Sequence, residues 1–381
     1  MPNFSGVWTL QEQFEAITEG NWTGIPLDEL YAWGNGSSGQ LGDGSIVLRS
    51  SPVQIGSTAD WAYVSGGRDH TSSIKTNGTL WSWGRNIVGQ LGLGDDIWRS
   101  SPVQVGTLTN WSQVSTNNHT VSIKTDGTLW AWGSSDHGKL GDNTTVNKSS
   151  PVQIGALTDW SQGSAGGDHT VAVKTDGTLW AWGRGNSGRL GDGTVTDRSS
   201  PVQIGALTDW SQVSARGAIT VAITTSNELY SWGYNGQGQL GLNNRTSRSS
   251  PVQVGALTNW SQVSAGNNQV AAVKTDGTLW TWGRNDEGQI GDGTRIDRSS
   301  PVQIGALTNW SQVSIFEDHT VSIKTDGTLW TWGRNSFGTI GLNDTVNRSS
   351  PVQVGSLTNW SQASAGESCT LAVTQGRTGM P

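Results

Sequence analysis

Four histidines occupy one position of a repeating sentence. They are His70, His119, His169 and His319, and each follows an Asp or an Asn. Imidazoles beside carboxylates are the usual material of general acid–base catalysis and of metal binding. A ligand set, however, needs its donors about 2 Å from one ion, and equivalent positions in separate repeats stand much farther apart. Ile219, Gln269 and Cys369 take the same place in other copies. The histidines therefore read as structural, bonded to nearby backbone, and no catalytic or metal-ligating residue is assigned.

The other chemistry-bearing residues recur in the same way. A basic side chain precedes every Ser-Ser-Pro: Arg49, Arg99, Lys148, Arg198, Arg248, Arg298 and Arg348. A ring of seven cations suggests anion binding, but a residue present in every copy is more simply a tie between loops. Asp-bearing loops such as Gly92–Asp96 suggest calcium. They lack the alternating ligands of an EF-hand loop, and Asp-Gly pairs are ordinary turn chemistry. No nucleophile elbow, phosphate loop or carboxylate pair is present, so the chain reads as a protein without enzymatic activity or cofactor.

These residues are positioned by a repeat of about 50 residues. Ser-Ser-Pro-Val-Gln places its proline at Pro52, Pro102, Pro151, Pro201, Pro251, Pro301 and Pro351. One copy divides into four short extended segments: 160–164, 169–174, 179–182 and 200–204. The second alternates and is β-branched, as a strand requires. Thr175-Asp-Gly-Thr178 between the second and third reads as a two-residue type I′ hairpin. Pro201 is expected at a strand start, where it costs no ladder bond. No copy has helical periodicity. Four antiparallel strands repeated seven times predict an all-β, seven-bladed propeller.

The chain ends predict how the ring closes. The first copy begins at a third strand, Leu30–Trp33, and the last stops after a second strand, Thr370–Val373. Pairing these half-blades removes two sheet edges. The expected organisation is a leader over 1–29, a propeller over 30–375 and a tail over 376–381.

Composition narrows the function. The net charge is −7, with 14% charged residues, 53 Gly and 22 Trp. No basic run marks a nucleic-acid partner. No apolar stretch approaches the ~20 residues that span a membrane. The single Cys369 excludes an internal disulfide framework. The N-terminus has no signal peptide.

The motif running from Gly66 through His70 and Trp83 to Gly92, with Gly-x-Leu-x-x-Trp-Gly-x-Asn-x-x-Gly-Gln-Leu-Gly at its heart, resembles the regulator-of-chromosome-condensation repeat family. The resemblance covers all seven units and implies a seven-bladed propeller. It is poorly specific for function, because members include an exchange factor for a small GTPase, a plant ultraviolet-B photoreceptor and a bacterial β-lactamase inhibitor. The photoreceptor's Gly-Trp-Arg-His-Thr motif is not found here. The exchange-factor reading needs a projecting wedge, and the near-uniform repeats leave no insertion for one. Phe4–Gln13 is similar to N-terminal segments of structural proteins of marine cyanobacterial viruses.

Comparing the seven copies locates a candidate surface. The links between second and third strands, and between fourth strand and next copy, are nearly constant. The other two sets of links lie on the opposite face and vary, as in Gly66–Asp69, Ala215–Ala218 and Ile315–Asp318. Loops on one face of a rigid scaffold are a usual binding surface. Apolar residues concentrate in three adjoining blades: Ile46, Val47 and Leu48; Ile87, Val88, Ile97 and Trp98; Ile315, Phe316 and Phe337. An apolar sector on a polar rim fits a protein interface. Trp98 stands out, since its counterparts are Leu48, Asn147, Asp197, Ser247, Asp297 and Asn347.

In the leader, Thr9-Leu-Gln-Glu12 fits a capping box, and Leu10, Phe14 and Ile17 share one helical face. A helix over 10–19, with Trp8 ahead of it, must dock to be stable. The expectation is a display propeller of a virion, tail-associated or otherwise structural. Its leader meets sister chains or other virion proteins, and its loop face meets a protein or host surface. The alternative is a soluble, cytoplasmic protein-binding propeller of inhibitor type.

Overall fold

A computed structural model of the chain describes residues 28–376. The leader helix and the anchor residues Trp8, Leu10, Phe14 and Ile17 lie outside the described residues. The described residues form seven four-stranded antiparallel sheets, numbered here as blades 1 to 7 from Trp61 onward. Blade 3 is typical. Its inner strand is Trp160–Ala165, its second His169–Lys174, its third Leu179–Gly183 and its outer strand Arg198–Gln203. Blade 7 takes its inner two strands, Trp360–Ala365 and Cys369–Thr374, from the end of the chain. Its outer two, Leu30–Gly34 and Arg49–Gln54, come from the beginning. Leu30 pairs with Val373 and Trp33 with Thr370 across this seam, as the half-repeats predict.

Two local expectations are corrected. The outer strand begins at Arg198, so Pro201 lies inside it. The register shifts between Gly183↔Arg198 and Ala181↔Val202, and this bulge on an edge strand accommodates a residue that cannot donate. The Thr175–Thr178 hairpin is not type I′, because only Gly177 takes a positive φ (76°). The Gly177 amide donates to the Lys174 carbonyl and the Lys174 amide to the Thr178 carbonyl. This is a three-residue loop with glycine at its left-handed position. Asp176 completes it by accepting from both the Thr178 amide and hydroxyl.

The core lies between blades, not within them. Every residue of the second strands is buried. Val171, Leu179 and Ile204 of blade 3, for example, meet Trp210, Val213 and Trp232 of blade 4. Comparable clusters fill all seven seams, including Trp33 with Phe316 and Trp360 at the junction of blades 6 and 7. At that junction Gly341 (φ 79°) lies so close to Trp33 that a Cβ would stand 2.7 Å from its indole nitrogen. The close approach requires glycine on both steric and backbone grounds.

A lysine closes the constant face of five blades. In blade 1 the Lys75 ammonium lies 4.7 Å from the ring centres of both Trp61 and Trp81. Blades 4 and 7 change three residues together. Thr224 replaces the lysine, Tyr230 the tryptophan and Glu228 the turn threonine, with the phenol donating to Glu228; Thr374, Tyr31 and Glu29 do the same in blade 7. Without the cation, a neutral hydroxyl and a phenol–carboxylate bond fill the same space.

Candidate loop-face recognition site and axial channel

The histidines tie neighbouring blades together. Each Nε2 meets the threonine hydroxyl of the next blade: His70 to Thr120 at 3.0 Å, His119 to Thr170 at 2.7 Å, His169 to Thr220 at 2.9 Å and His319 to Thr370 at 2.9 Å. Each of those hydroxyls donates to a backbone carbonyl, as Thr120 does to Gln90. Its oxygen must therefore accept, and the imidazole carries its proton on Nε2. The partner is a side chain of the adjoining blade, not the local backbone that the sequence suggests. Burial holds His70 and His169 down to about 3 and His319 to about 4. His119 is held well below its ordinary value by burial and then by Lys139 and His169.

The basic residue before Ser-Ser-Pro is a tie within its own loop. Arg49 reaches Asp43, Arg198 reaches Asp192 and Lys148 reaches Asp142, at 2.8 to 3.2 Å. Arg99 and Arg348 use an aspartate two positions later in the loop, Asp95 and Asp344. In blade 4 that aspartate is Asn244, which leaves Arg248 without a carboxylate in its loop. The aspartates at these two positions are thus committed to the basic residue, and several also accept a Ser or Thr hydroxyl, as Asp43 does from Ser45.

The inner strands line the axis and meet no fifth strand, so their edge amides need other acceptors. Glutamine and serine side chains supply them from the preceding blade. The Gln162 Oε1 accepts from the Val213 amide at 2.8 Å, and the Ser164 hydroxyl from the Ala215 amide at 2.9 Å. The pattern crosses the closure seam through Gln362 to Val64 and Ser364 to Gly66. Tyr63 takes the glutamine position in blade 1.

Above this channel the loops between inner and second strands surround a depression of about 420 Å³. Charged groups around it pair both within and between blades. Arg68 of blade 1 meets Glu367 of blade 7 at 2.9 Å, and Asp318 receives Arg284 and Arg334, each at 3.3 Å. Asp168 gathers Arg184 at 3.3 Å, Lys139 at 3.4 Å and Arg189 at 3.8 Å. Burial pushes Glu367 up to about 7, with Glu317 and Asp69 adding to the rise and Arg68 opposing it.

The apolar sector is only partly as the sequence predicts. Ile46, Val47, Leu48, Ile87, Ile97 and Trp98 are exposed, and Val88 and Phe337 are half-buried. Ile315 and Phe316 are corrected: they are 1% and 2% exposed and do not offer a binding surface. Ile315 packs in the seam between blades 5 and 6. Phe316 packs against blade 7, and the Arg216 guanidinium lies 4.0 Å from its ring. Exposed Val146, Val195, Ile296 and Val346 also show that apolar loop tips are not confined to one sector.

One position does discriminate. The residue before the basic side chain accepts a backbone amide at the start of its own loop in five blades. Asn147 accepts from Ser135, Asp197 from Gly185, Ser247 from Asn235, Asp297 from Asn285 and Asn347 from Asn335. Leu48 and Trp98 have no acceptor to offer and are 43% and 46% exposed. Blades 7 and 1, which adjoin, give up a loop bond and present a large apolar side chain instead.

Two features escape sequence reading. Leu108, Leu157, Leu207, Leu257, Leu307 and Leu357 form a circle of exposed leucines on the constant face. Their regular recurrence was the available signal. Arg216 bridges the channel mouth, and its counterparts Gly67, Gly166, Gly266 and Gly366 mark it as an exception.

The regulator of chromosome condensation (RCC1) repeat profile matches seven consecutive segments: 28–74, 77–123, 126–173, 176–223, 226–273, 276–323 and 326–373. The chain belongs to the RCC1 repeat family. Solved structures align over nearly its whole length. Human WBSCR16 matches at a TM-score of 0.81 and 19% identity, covering 92% of this chain and 99% of that one. Yeast RCC1 (Prp20), in a structure with Kap60 bound, matches at 0.82 and 19%, covering 99% and 95%. Prp20p from Saccharomyces cerevisiae, described together with its binding to Gsp1p and histones, matches at 0.81 and 19%, covering 99% and 97%. At this identity the likeness establishes the fold. No curated protein matches the chain in sequence.

Proposed function

We propose that this RCC1-repeat propeller is a non-enzymatic protein-binding module. It recognises a protein or host surface through the loop face of blades 7 and 1, and it is displayed on a virus particle through its constant face and leader. The observation that carries the recognition site is the exchange of a loop-capping polar residue for exposed Leu48 and Trp98. A repeat scaffold gains nothing in stability from that exchange, since the capping bond is lost. An exposed tryptophan and an exposed leucine on adjoining blades suit the apolar centre of an interface.

The display reading rests on the leader's likeness to virion proteins and on where the first and last described residues lie. The Gly376 amide donates to the Asp28 carboxylate at 3.1 Å, and both residues sit on the constant face, opposite the variable loops. The circle of leucines on that face offers apolar contacts to an underlying assembly.

Trp98→Ala is expected to weaken binding to the host-surface partner tenfold or more, since a central aromatic anchor contributes about 2 kcal/mol or more. The melting temperature should not move. Arg245→Ala, on the far side of the ring, is the matched control and should bind normally. Unchanged binding by Trp98→Ala overturns the site. The display reading is tested by co-purification with particles. Removing residues 1–25 should leave the propeller's melting temperature unchanged and abolish incorporation, whereas unfolding of the ring on that deletion rejects the leader as an anchor. Stimulated nucleotide release from a small GTPase would favour the exchange-factor reading instead.

A further inference from the structure

Along the axis the seven inner strands enclose a cavity of about 190 Å³ lined by the glutamine and serine rings, Tyr63 and Arg216. Arg216 extends from blade 4 across the mouth of this channel. Its Nη1 donates to the Thr116 carbonyl of blade 2 at 3.0 Å, and its guanidinium lies over Phe316 of blade 6. The two contacts fix the guanidinium plane. They leave the edge formed by Nε and Nη2, and the Nε hydrogen is buried without a partner. Among the described residues no carboxylate lies within ion-pair distance of Arg216; at the mouth above it Glu367, Asp168 and Asp318 are held by Arg68, Lys139, Arg184, Arg284 and Arg334, and Glu317 makes no ion pair among the described residues.

We propose that the axial cavity binds one small oxyanion, a carboxylate or an inorganic oxyanion, against the free edge of the Arg216 guanidinium. Arg216 is half-buried, and a cation partly withdrawn from water is costly unless it is paired. Burial lowers the Arg216 pKa to about 10, so the group remains charged at neutral pH and its counterion is still wanted. The Nε–Nη2 edge of a guanidinium presents two parallel donors, which match two oxygens of a carboxylate or phosphate. The wall adds further donors. The hydroxyl oxygens of Ser115, Ser164, Ser214, Ser264, Ser314 and Ser364 each accept an amide from the next blade. A hydroxyl whose oxygen is so engaged still has its proton to give, and it rotates freely to give it. The site is independent of the loop-face reading, because it lies on the axis and uses none of the exposed apolar residues.

Isothermal titration of the full chain in HEPES with sodium acetate, and separately with sodium phosphate, tests the proposal. Saturable binding of either anion at one per chain is expected, and which of the two binds defines the class. Arg216→Gly restores the residue found in four other blades, so the fold should tolerate it, and its affinity should fall at least tenfold. Arg216→Lys keeps the charge but not the planar edge, and a loss of threefold or more there serves as the second measurement. Arg245→Ala, in the outer loop of blade 4, should bind the anion as the natural chain does. Absence of saturable binding of both anions, or equal affinity in the Arg216 variants, overturns the proposal.

Discussion

Acidification from pH 7 to pH 5.5 should destabilise the propeller by several kcal/mol. His70, His119, His169 and His319 are buried, neutral and bonded through Nε2, and their folded pKa values lie far below the ordinary value of 6.5. Above pH 6.5 these groups are neutral in both folded and unfolded chains, and their full contribution is present. As the pH falls below 6.5 the unfolded chain takes up protons that the folded ring refuses, and stability is lost down to about pH 3 to 4. Each histidine then contributes a slope of up to about 1.4 kcal/mol per pH unit. Glu367 works in the opposite sense. Its raised value of about 7 favours the folded, protonated form between its unfolded value and pH 7. The group is partly exposed and screened, so it offsets at most about one of the four histidines. The check is the urea midpoint at the two pH values. Blades 4, 5 and 7 already use Ile219, Gln269 and Cys369 at this position. Replacing all four histidines with glutamine should therefore preserve the fold and flatten the acid limb. An unchanged midpoint in the natural chain would show that the buried imidazoles do not govern acid stability.

Phe316→Ala should cost about 3 kcal/mol or more, within the range for deleting a buried aromatic ring. The ring is enclosed by blade 7 on one side and by the Arg216 guanidinium on the other. Its loss opens a cavity at the seam and removes the flat surface on which the guanidinium rests. The measurement is equilibrium denaturation. A normal melting temperature combined with weakened partner binding would restore Phe316 to the recognition surface, as its sequence alone suggests. Conversely, Trp98→Ala should preserve stability and reduce binding, so the two variants separate a packing aromatic from a recognition aromatic on the same face.

The repeat, its four strands and the closure by half-blades are legible in the chain because each is a one-dimensional pattern. Strand alternation sets which residues turn inward. The fixed spacing carries one blade's geometry to the next. The late start at Leu30 and early stop at Val373 leave complementary edges that only pairing removes. The family is legible for the same reason, since its glycines and tryptophans sit where one blade's loop must meet the next blade's third strand, as Gly341 meets Trp33.

Which loop residue faces solvent is not a one-dimensional property. Trp98 and Phe316 are both aromatic exceptions at positions that are mostly polar or small in other copies, and the sequence places both on the recognition surface, with Trp98 foremost. The ring closes over Phe316 because its backbone lies at the narrow axial mouth, where seven blades converge and Arg216 crosses from blade 4. Trp98 stands in the wide outer loop, where neighbouring blades diverge and nothing covers 46% of it. The histidine partners follow the same logic. A residue's local sequence fixes its rotamers and nearest backbone, but the threonine hydroxyl that holds His169 comes from the next blade, 51 residues away. The sequence by itself determines the blade and the order of blades. Convergence at the axis and divergence at the rim, which exist only once the ring has closed, decide which of its exceptions are core and which are surface.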